Sequence, residues 1–311
     1  MSDSATAALF TPFTIGDTPL QHRIVMAPLT RMRASRPGNE PNALNALYYT
    51  QRASEGGLII AEASQVVPEG QGMPATPGIH TDAQQAGWKL VTDGVHARGG
   101  RIFLQLWHVG RISHSSHQPG AQAPVAPSAI AAQGNALTAD FTPAPFEAPR
   151  ALTVDDIAQL KRAYVAAAKR AMAAGFDGVE IHSANGYLLE QFMIERSNQR
   201  DDRYGGTLAN RIRLPLEIAE LLAAELGSNK VGIRLSPFGV ANDSGETQPL
   251  ALYQTITTEL NKLKLAYLHL IEPRASGAGQ RDVDHQNMPS GCATLRPFWD
   301  QTLITAGNFT P

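Results

Sequence analysis

Residues 153–182 read TVDDIAQLKRAYVAAAKRAMAAGFDGVEIH and hold one complete helix-to-strand unit. Thr153 is placed to cap a helix, and Asp156, three positions on, completes a capping box with it. Ile157, Leu160, Tyr164, Ala168 and Ala171 then recur at helical spacing and make one apolar stripe. Gly175 supplies the left-handed residue that ends such a helix. The run at 178–181 comes directly after it, short and nearly continuous in apolar residues, as a strand covered on both faces would be.

The same unit recurs along the chain. Strand-like runs fall at 23–27, 58–61, 102–106, 178–181, 231–235, 267–271 and 303–306. Helical patterns fall at 43–54, 83–97, 208–225 and 249–262. Alternation at this pace predicts an α/β fold of parallel strands joined by right-handed crossovers, either a TIM (β/α)8 barrel or an open sheet. Two features choose the barrel. No GxGxxG comes after the first run, where an open dinucleotide-binding sheet usually carries one. Thr30, Glu62, Gln105, His182 and Arg234 gather at the C-terminal ends of the runs, the face on which barrels keep their chemistry.

Only seven strands are encoded. Thr310-Pro311 reads as the cap and first residue of a helix. Residues 1–311 are therefore read as a single barrel domain, C-terminally incomplete, whose eighth βα unit is missing or comes from a second chain. Residues 113–150, rich in Pro, Ala and Ser, form a long insertion after the third strand, of the length expected for a lid.

A composition of 43% hydrophobic and 17% charged residues is that of an ordinary soluble globular protein. The formal net charge of −2 leaves no footprint for nucleic acid or an acidic membrane surface. A single cysteine, Cys292, excludes an internal disulfide and any cysteine-built metal or iron–sulfur site within this chain. It also suits a reducing compartment, so a cytoplasmic location is expected. The first nine residues lack the pattern of a signal peptide, and no apolar run approaches the roughly 20 residues that span a bilayer. His108, His114 and His117 lie close together, but without a carboxylate or thiol beside them they are not read as a metal site. Neither GxSxG nor a Walker A sequence is present.

The chemistry concentrates in His182-Ser183-Ala184-Asn185-Gly186-Tyr187, at the end of the fourth strand. His182 and Asn185 can each offer an N–H to one acceptor oxygen, and Tyr187 can bring a phenolic proton to the same cavity. Two donors and a weak acid suit a site that polarises a carbonyl and protonates an adjacent carbon. A core histidine, a capping asparagine and a structural tyrosine fit the isolated hexapeptide equally well.

The hexapeptide resembles the H-x-x-N/H-x-Y signature of the Old Yellow Enzyme family, and further segments resemble that family in order. They are Met26-Ala27-Pro28-Leu29-Thr30-Arg31, Ala61-Glu62-Ala63, Gln105-Leu106-Trp107-His108-Val109-Gly110-Arg111, 197–206 with Asn210-Arg211, and Gly232-Ile233-Arg234-Leu235-Ser236-Pro237. The likeness runs through almost all of residues 8–311.

The resemblance implies a barrel that holds FMN across its mouth, with NADPH or NADH as co-substrate and small activated alkenes as partners. Pro28, Leu29 and Ala63 would contact the ring, and Thr30 would place its hydroxyl near the O4 and N5 edge. Gln105 would pair with the pyrimidine edge, and Arg234 would hold positive charge near N1 and O2. His182 would lie against both cofactor and substrate. Backbone groups of Ala306, Gly307 and Asn308 would form half of the phosphate site. His182 and Asn185 would hold the substrate's electron-withdrawing oxygen, Tyr187 would protonate its α-carbon, and Trp107 and Met73 would wall the pocket. The alternatives are a non-flavin barrel lyase or isomerase, and a non-catalytic or partner-dependent barrel fragment. A dienoyl-CoA reductase relative would need an iron–sulfur cluster that one cysteine does not supply.

Overall fold

Seven parallel strands carry the apolar runs: β1 (Val25–Met26), β2 (Leu58–Gln65), β3 (Arg101–Trp107), β4 (Gly178–His182), β5 (Val231–Leu235), β6 (Tyr267–Ile271) and β7 (Thr302–Ala306). The computed structural model describes residues 7–273 and 289–307. Each strand pairs with the next in sequence, so the hydrogen-bonded order runs from β1 to β7 without a skipped neighbour. That order is the wall of a (β/α) barrel, and among the described residues β1 and β7 are its two edges. Burial depends on position: β4 and β5 are buried along their whole length, whereas β1 and β7 are half-buried.

The helices are α1 (Ala43–Thr50), α2 (Asp82–His96), α3 (Val154–Ala173), α4 (Leu188–Met193), α5 (Arg213–Leu226) and α6 (Pro249–Asn261), and all but the short α4 lie where periodicity predicts them. Thr153 caps α3 and closes the box with Asp156, and Gly175 comes next in the left-handed region at φ 94°. The anticipated stripe of Ile157, Leu160, Tyr164, Ala168 and Ala171 is buried in full. One expected helix is broken. The pattern at 208–225 divides into Leu208–Arg211 and α5, because Pro215 has no N–H to donate back to residue 211 and fits only in the first turn of a new helix. No helix among the described residues is long and apolar enough to cross a membrane.

Strand alternation separates two environments. Ile59, Ile102, Leu104, Val179, Ile181 and Ile233 pack outward against the helices in the main core. Ile60, Phe103 and Tyr267 belong to the interior, where Ile15 and Leu20 of the hairpin Phe13–Ile15/Thr18–Leu20 close the lower end. The Phe103 and Tyr267 rings lie 5.8 Å apart. They have room because their register partners are Gly178 and Gly232: a Cβ on either glycine would collide with the ring beside it. One step higher, the inward positions become polar, with Gln105 opposite Glu180 and Arg234 opposite His269.

A register shift between Ala61 and Ser64 changes the phase of β2. Glu62, expected among the polar groups of the mouth, instead turns toward α1. There it accepts from Asn45 Nδ2 and Tyr49 Oη, both at 3.3 Å, and from the Arg31 amide at 2.9 Å. Ala63 turns the other way and joins Trp107 and Tyr187. The insertion after β3 has structure of its own, including the hairpin Asn135–Leu137/Pro143–Pro145 and a parallel pairing of Val125–Ala126 with Arg150–Ala151. His117 Nε2 contacts Leu137 O at 2.7 Å, and the Ser115 amide donates to Glu147 at 2.6 Å, so this segment is pinned to itself.

Candidate active site

The C-terminal tips of β3, β4 and β5, with the turns that leave them, build the top of the barrel. His182 ends β4 on its inward face and pairs in register with Arg234 of β5. Trp107 ends β3 and stacks on the imidazole, with ring centroids 6.4 Å apart and an interplanar angle of 17°. Tyr187 meets both rings edge-on, at 5.1 Å from His182 and 4.9 Å from Trp107. Ala63 belongs to the same cluster, and Met73 packs against it. The structure therefore brings His182 and Tyr187 together with Trp107, Ala63 and Met73 from two other parts of the chain.

Between His182 and Tyr187 the backbone makes a sharp turn. Asn185 takes the left-handed region at φ 58° and Gly186 is next at φ 73°. A Cβ at Gly186 would stand 2.6 Å from Ala241 O, so only glycine fits. The Asn185 amide donates to Ser236 Oγ at 2.8 Å, and its carbonyl accepts from Asn242 Nδ2 at 2.8 Å. Its backbone is thus held at both ends, while its carboxamide makes no hydrogen bond among the described residues.

Electrostatics fixes the protonation states. Burial, reinforced by Arg234, pushes His182 down to about 3, so the imidazole is neutral at physiological pH. Its Nδ1 is buried without a partner among the described residues. Burial pushes Tyr187 up to about 12, against the opposing pull of Asn242, so the phenol keeps its proton. Below them, Gln105 donates to Glu180 Oε1 at 2.6 Å and His269 Nδ1 contacts Oε2 at 2.8 Å. Burial works against the Glu180 charge, yet His269 and Arg234 hold this carboxyl below its usual range. Burial and Arg234 lower His269, against the opposing pull of Glu180. Arg234 brings a buried guanidinium to this layer, with its Nε unpartnered among the described residues.

Pro28 and Thr30 are half-buried and Leu29 is 46% exposed, on the segment that leaves β1. Glu62 holds that segment through Arg31. Among the described residues, no hydrogen bond or ring contact joins these three to the His182 group. Ala306 ends β7 and Gly307 comes next with φ 130°; Asn308 lies outside the described residues. His108, His114 and His117 each have a partner within the chain: His108 Nδ1 accepts from the Gly110 amide at 3.1 Å, and His114 Nδ1 contacts Ser116 at 3.0 Å. Reading the sequence missed Glu180, His269, Ser236, Asn242 and Glu190. Two of these left a signal, an acid and a histidine within the apolar strands GVEIH and YLHLI.

Buried donors without partners ask for a ligand with acceptor atoms, because leaving them unpaired costs about 1–3 kcal/mol each. Arg234, His182 and Trp107 each present such an N–H or ring nitrogen at the strand tips, beside the small Ala63. A flat heterocycle with a polar pyrimidine edge meets this need. Fold and site together define a barrel protein that takes a planar, acceptor-bearing ligand at its strand tips.

The comparisons agree. The profile of the NADH:flavin oxidoreductase / NADH oxidase family matches residues 8–311. The chain is 44% identical over 308 residues to 12-oxophytodienoate reductase 1 of Oryza sativa subsp. japonica, spanning 98% of this chain and 78% of that one. It is 43% identical to 12-oxophytodienoate reductase 2 of Arabidopsis thaliana, spanning 97% and 79%. Among solved structures, morphinone reductase in complex with tetrahydroNAD superposes with a TM-score of 0.88 at 44% identity, covering 97% of this chain and 81% of its own. The old yellow enzyme homologue from Zymomonas mobilis superposes at 0.91 with 39% identity, covering 97% and 83%. The chain belongs to the NADH:flavin oxidoreductase / NADH oxidase family, the Old Yellow Enzyme group, whose cofactors are FMN and a nicotinamide nucleotide.

Proposed function

We propose that the protein is an ene-reductase that saturates the C=C bond of α,β-unsaturated carbonyl or nitro compounds. The observation that carries this reading is the turn between β4 and α4, which holds a neutral imidazole, a carboxamide without a partner among the described residues and a protonated phenol above a buried arginine. The reductases among the relatives support it.

Pro28, Leu29, Thr30, Ala63, Gln105, His182 and Arg234 would hold FMN, with the backbone of Ala306 and Gly307 toward its phosphate. Bound there, FMN would supply hydride-transfer chemistry between NADPH or NADH and the substrate's β-carbon. His182 and Asn185 donate to the substrate's carbonyl or nitro oxygen and stabilise the negative charge that grows there. Trp107 and Met73 wall the substrate's apolar part, and the insertion 113–150 shields the site from water. Tyr187 gives its phenolic proton to the α-carbon, so one hydride and one proton complete the saturated product.

Replacing both His182 and Asn185 by Ala should abolish tight enone binding and cripple turnover, while the visible spectrum of the purified protein keeps its flavin bands. Enone reduction undiminished in that double variant would sink the assignment.

A further inference from the structure

One carboxylate outside the reacting group ties the turn together. Glu190, fully buried on α4, accepts four hydrogen bonds. Ser236 Oγ and Tyr253 Oη, both at 2.6 Å, donate to Oε1; Ser244 Oγ at 3.0 Å and the Gly186 amide donate to Oε2. An ionised carboxylate offers about four acceptor sites and no donor, so this set is complete. Two of the donors belong to the reactive turn or touch it. Gly186 is the turn's central glycine, and Ser236 Oγ accepts the Asn185 amide at 2.8 Å. The other two come from the loop after β5 and from α6.

We infer that Glu190 is a positioning residue for substrate binding: through Gly186 and Ser236 it fixes the left-handed conformation of Asn185 and so aims that carboxamide at the substrate's oxygen. This rests on the functional reading above, in which Asn185 binds that oxygen. Asn185 at φ 58° sits in a region that asparagine tolerates but does not prefer to its extended forms, so the orientation must be imposed by its neighbours. Glu190 is the point at which three chain segments and the turn converge. Gln191 braces the same turn from the other side, with its Nε2 on Gly186 O at 2.7 Å and on Val109 O at 2.9 Å.

The test is a double-mutant cycle on the FMN-loaded enzyme with 2-cyclohexenone. Glu190→Gln places an N–H₂ where only acceptors fit, and Ser236→Ala removes the hydroxyl that links the carboxylate to the Asn185 amide while leaving Glu190 with its other three donors. Each alone should raise the KM for the enone about tenfold, with a smaller fall in kcat and with flavin content unchanged. In an Asn185→Ala background the same replacements should change KM less than about twofold, because the group that they position is gone. Effects that multiply in full with Asn185→Ala, or single variants that leave KM unmoved, overturn the inference and leave the functional reading standing. If Asn185→Ala itself leaves KM and turnover unchanged, the functional reading falls and the inference with it. Ser236→Ala decides the matter even if Glu190→Gln does not fold.

Discussion

Replacing Tyr187 by Phe separates chemistry from folding at this site. The two ring contacts that seat Tyr187, against His182 at 5.1 Å and Trp107 at 4.9 Å, use only the ring and survive the change. The hydroxyl is lost, with its interaction with Asn242, a net cost of about 0.5–1.5 kcal/mol. The melting temperature should therefore fall by no more than a few degrees. The chemical effect is larger. A positioned general acid contributes about 10²–10⁴ in rate, and each tenfold corresponds to about 1.4 kcal/mol of barrier. Alkene reduction should then slow at least about a hundredfold, or roughly 3 kcal/mol, with water as the slower proton source. Anaerobic stopped-flow spectroscopy resolves the two halves: bleaching of the flavin by NADPH should keep its wild-type rate, and reoxidation by 2-cyclohexenone should not. In the wild type, burial holds the phenol near 12, so the proton is present throughout about pH 6–9 and reoxidation should be flat over that range. Equal slowing of both halves, or unimpaired reoxidation, would refute the role of Tyr187.

Three further expectations rest on the same geometry. Because burial and Arg234 push His182 down to about 3, kcat/KM for the enone should show no break near the ordinary histidine value of 6.5; a break there that disappears in His182→Asn would contradict a neutral imidazole. Burial raises Glu62 to about 7, against the Arg31 amide, so between pH 4.5 and 7 the unfolded chain releases a proton that the folded chain keeps, and stability declines as pH rises through that window. Glu62→Gln should lack this decline, worth roughly 3 kcal/mol, so its urea midpoint should gain on the wild type from pH 4.5 to 7; a constant gap would count against it. Gly232→Ala should destabilise the barrel by about 1–3 kcal/mol or more, since its methyl group meets the buried Tyr267 ring, and an unchanged denaturation midpoint would mean that the interior is looser than described.

Much of this architecture was legible in the chain itself. The seven strands, the capping box of Thr153 and Asp156, and the stop at Gly175 are all set by residues within a few positions of each other. The hexapeptide 182–187 was legible for the same reason: its donors are held within one turn. The position of Glu62 was misjudged because a bulge between Ala61 and Ser64 reverses the inward and outward sides, and a bulge has no mark in the apolar pattern of one strand.

The amino-acid sequence alone determined the repeating unit and the residue types at the strand tips, because period and capping are short-range properties of a polypeptide. Tertiary structure alone decided which of those residues face one another. Ser236 and Tyr253 reach Glu190 across 46 and 63 positions, and His269 reaches Glu180 across 89. Such pairings depend on the register between strands and the closing curve of the sheet, and these are settled only when the inward faces pack together.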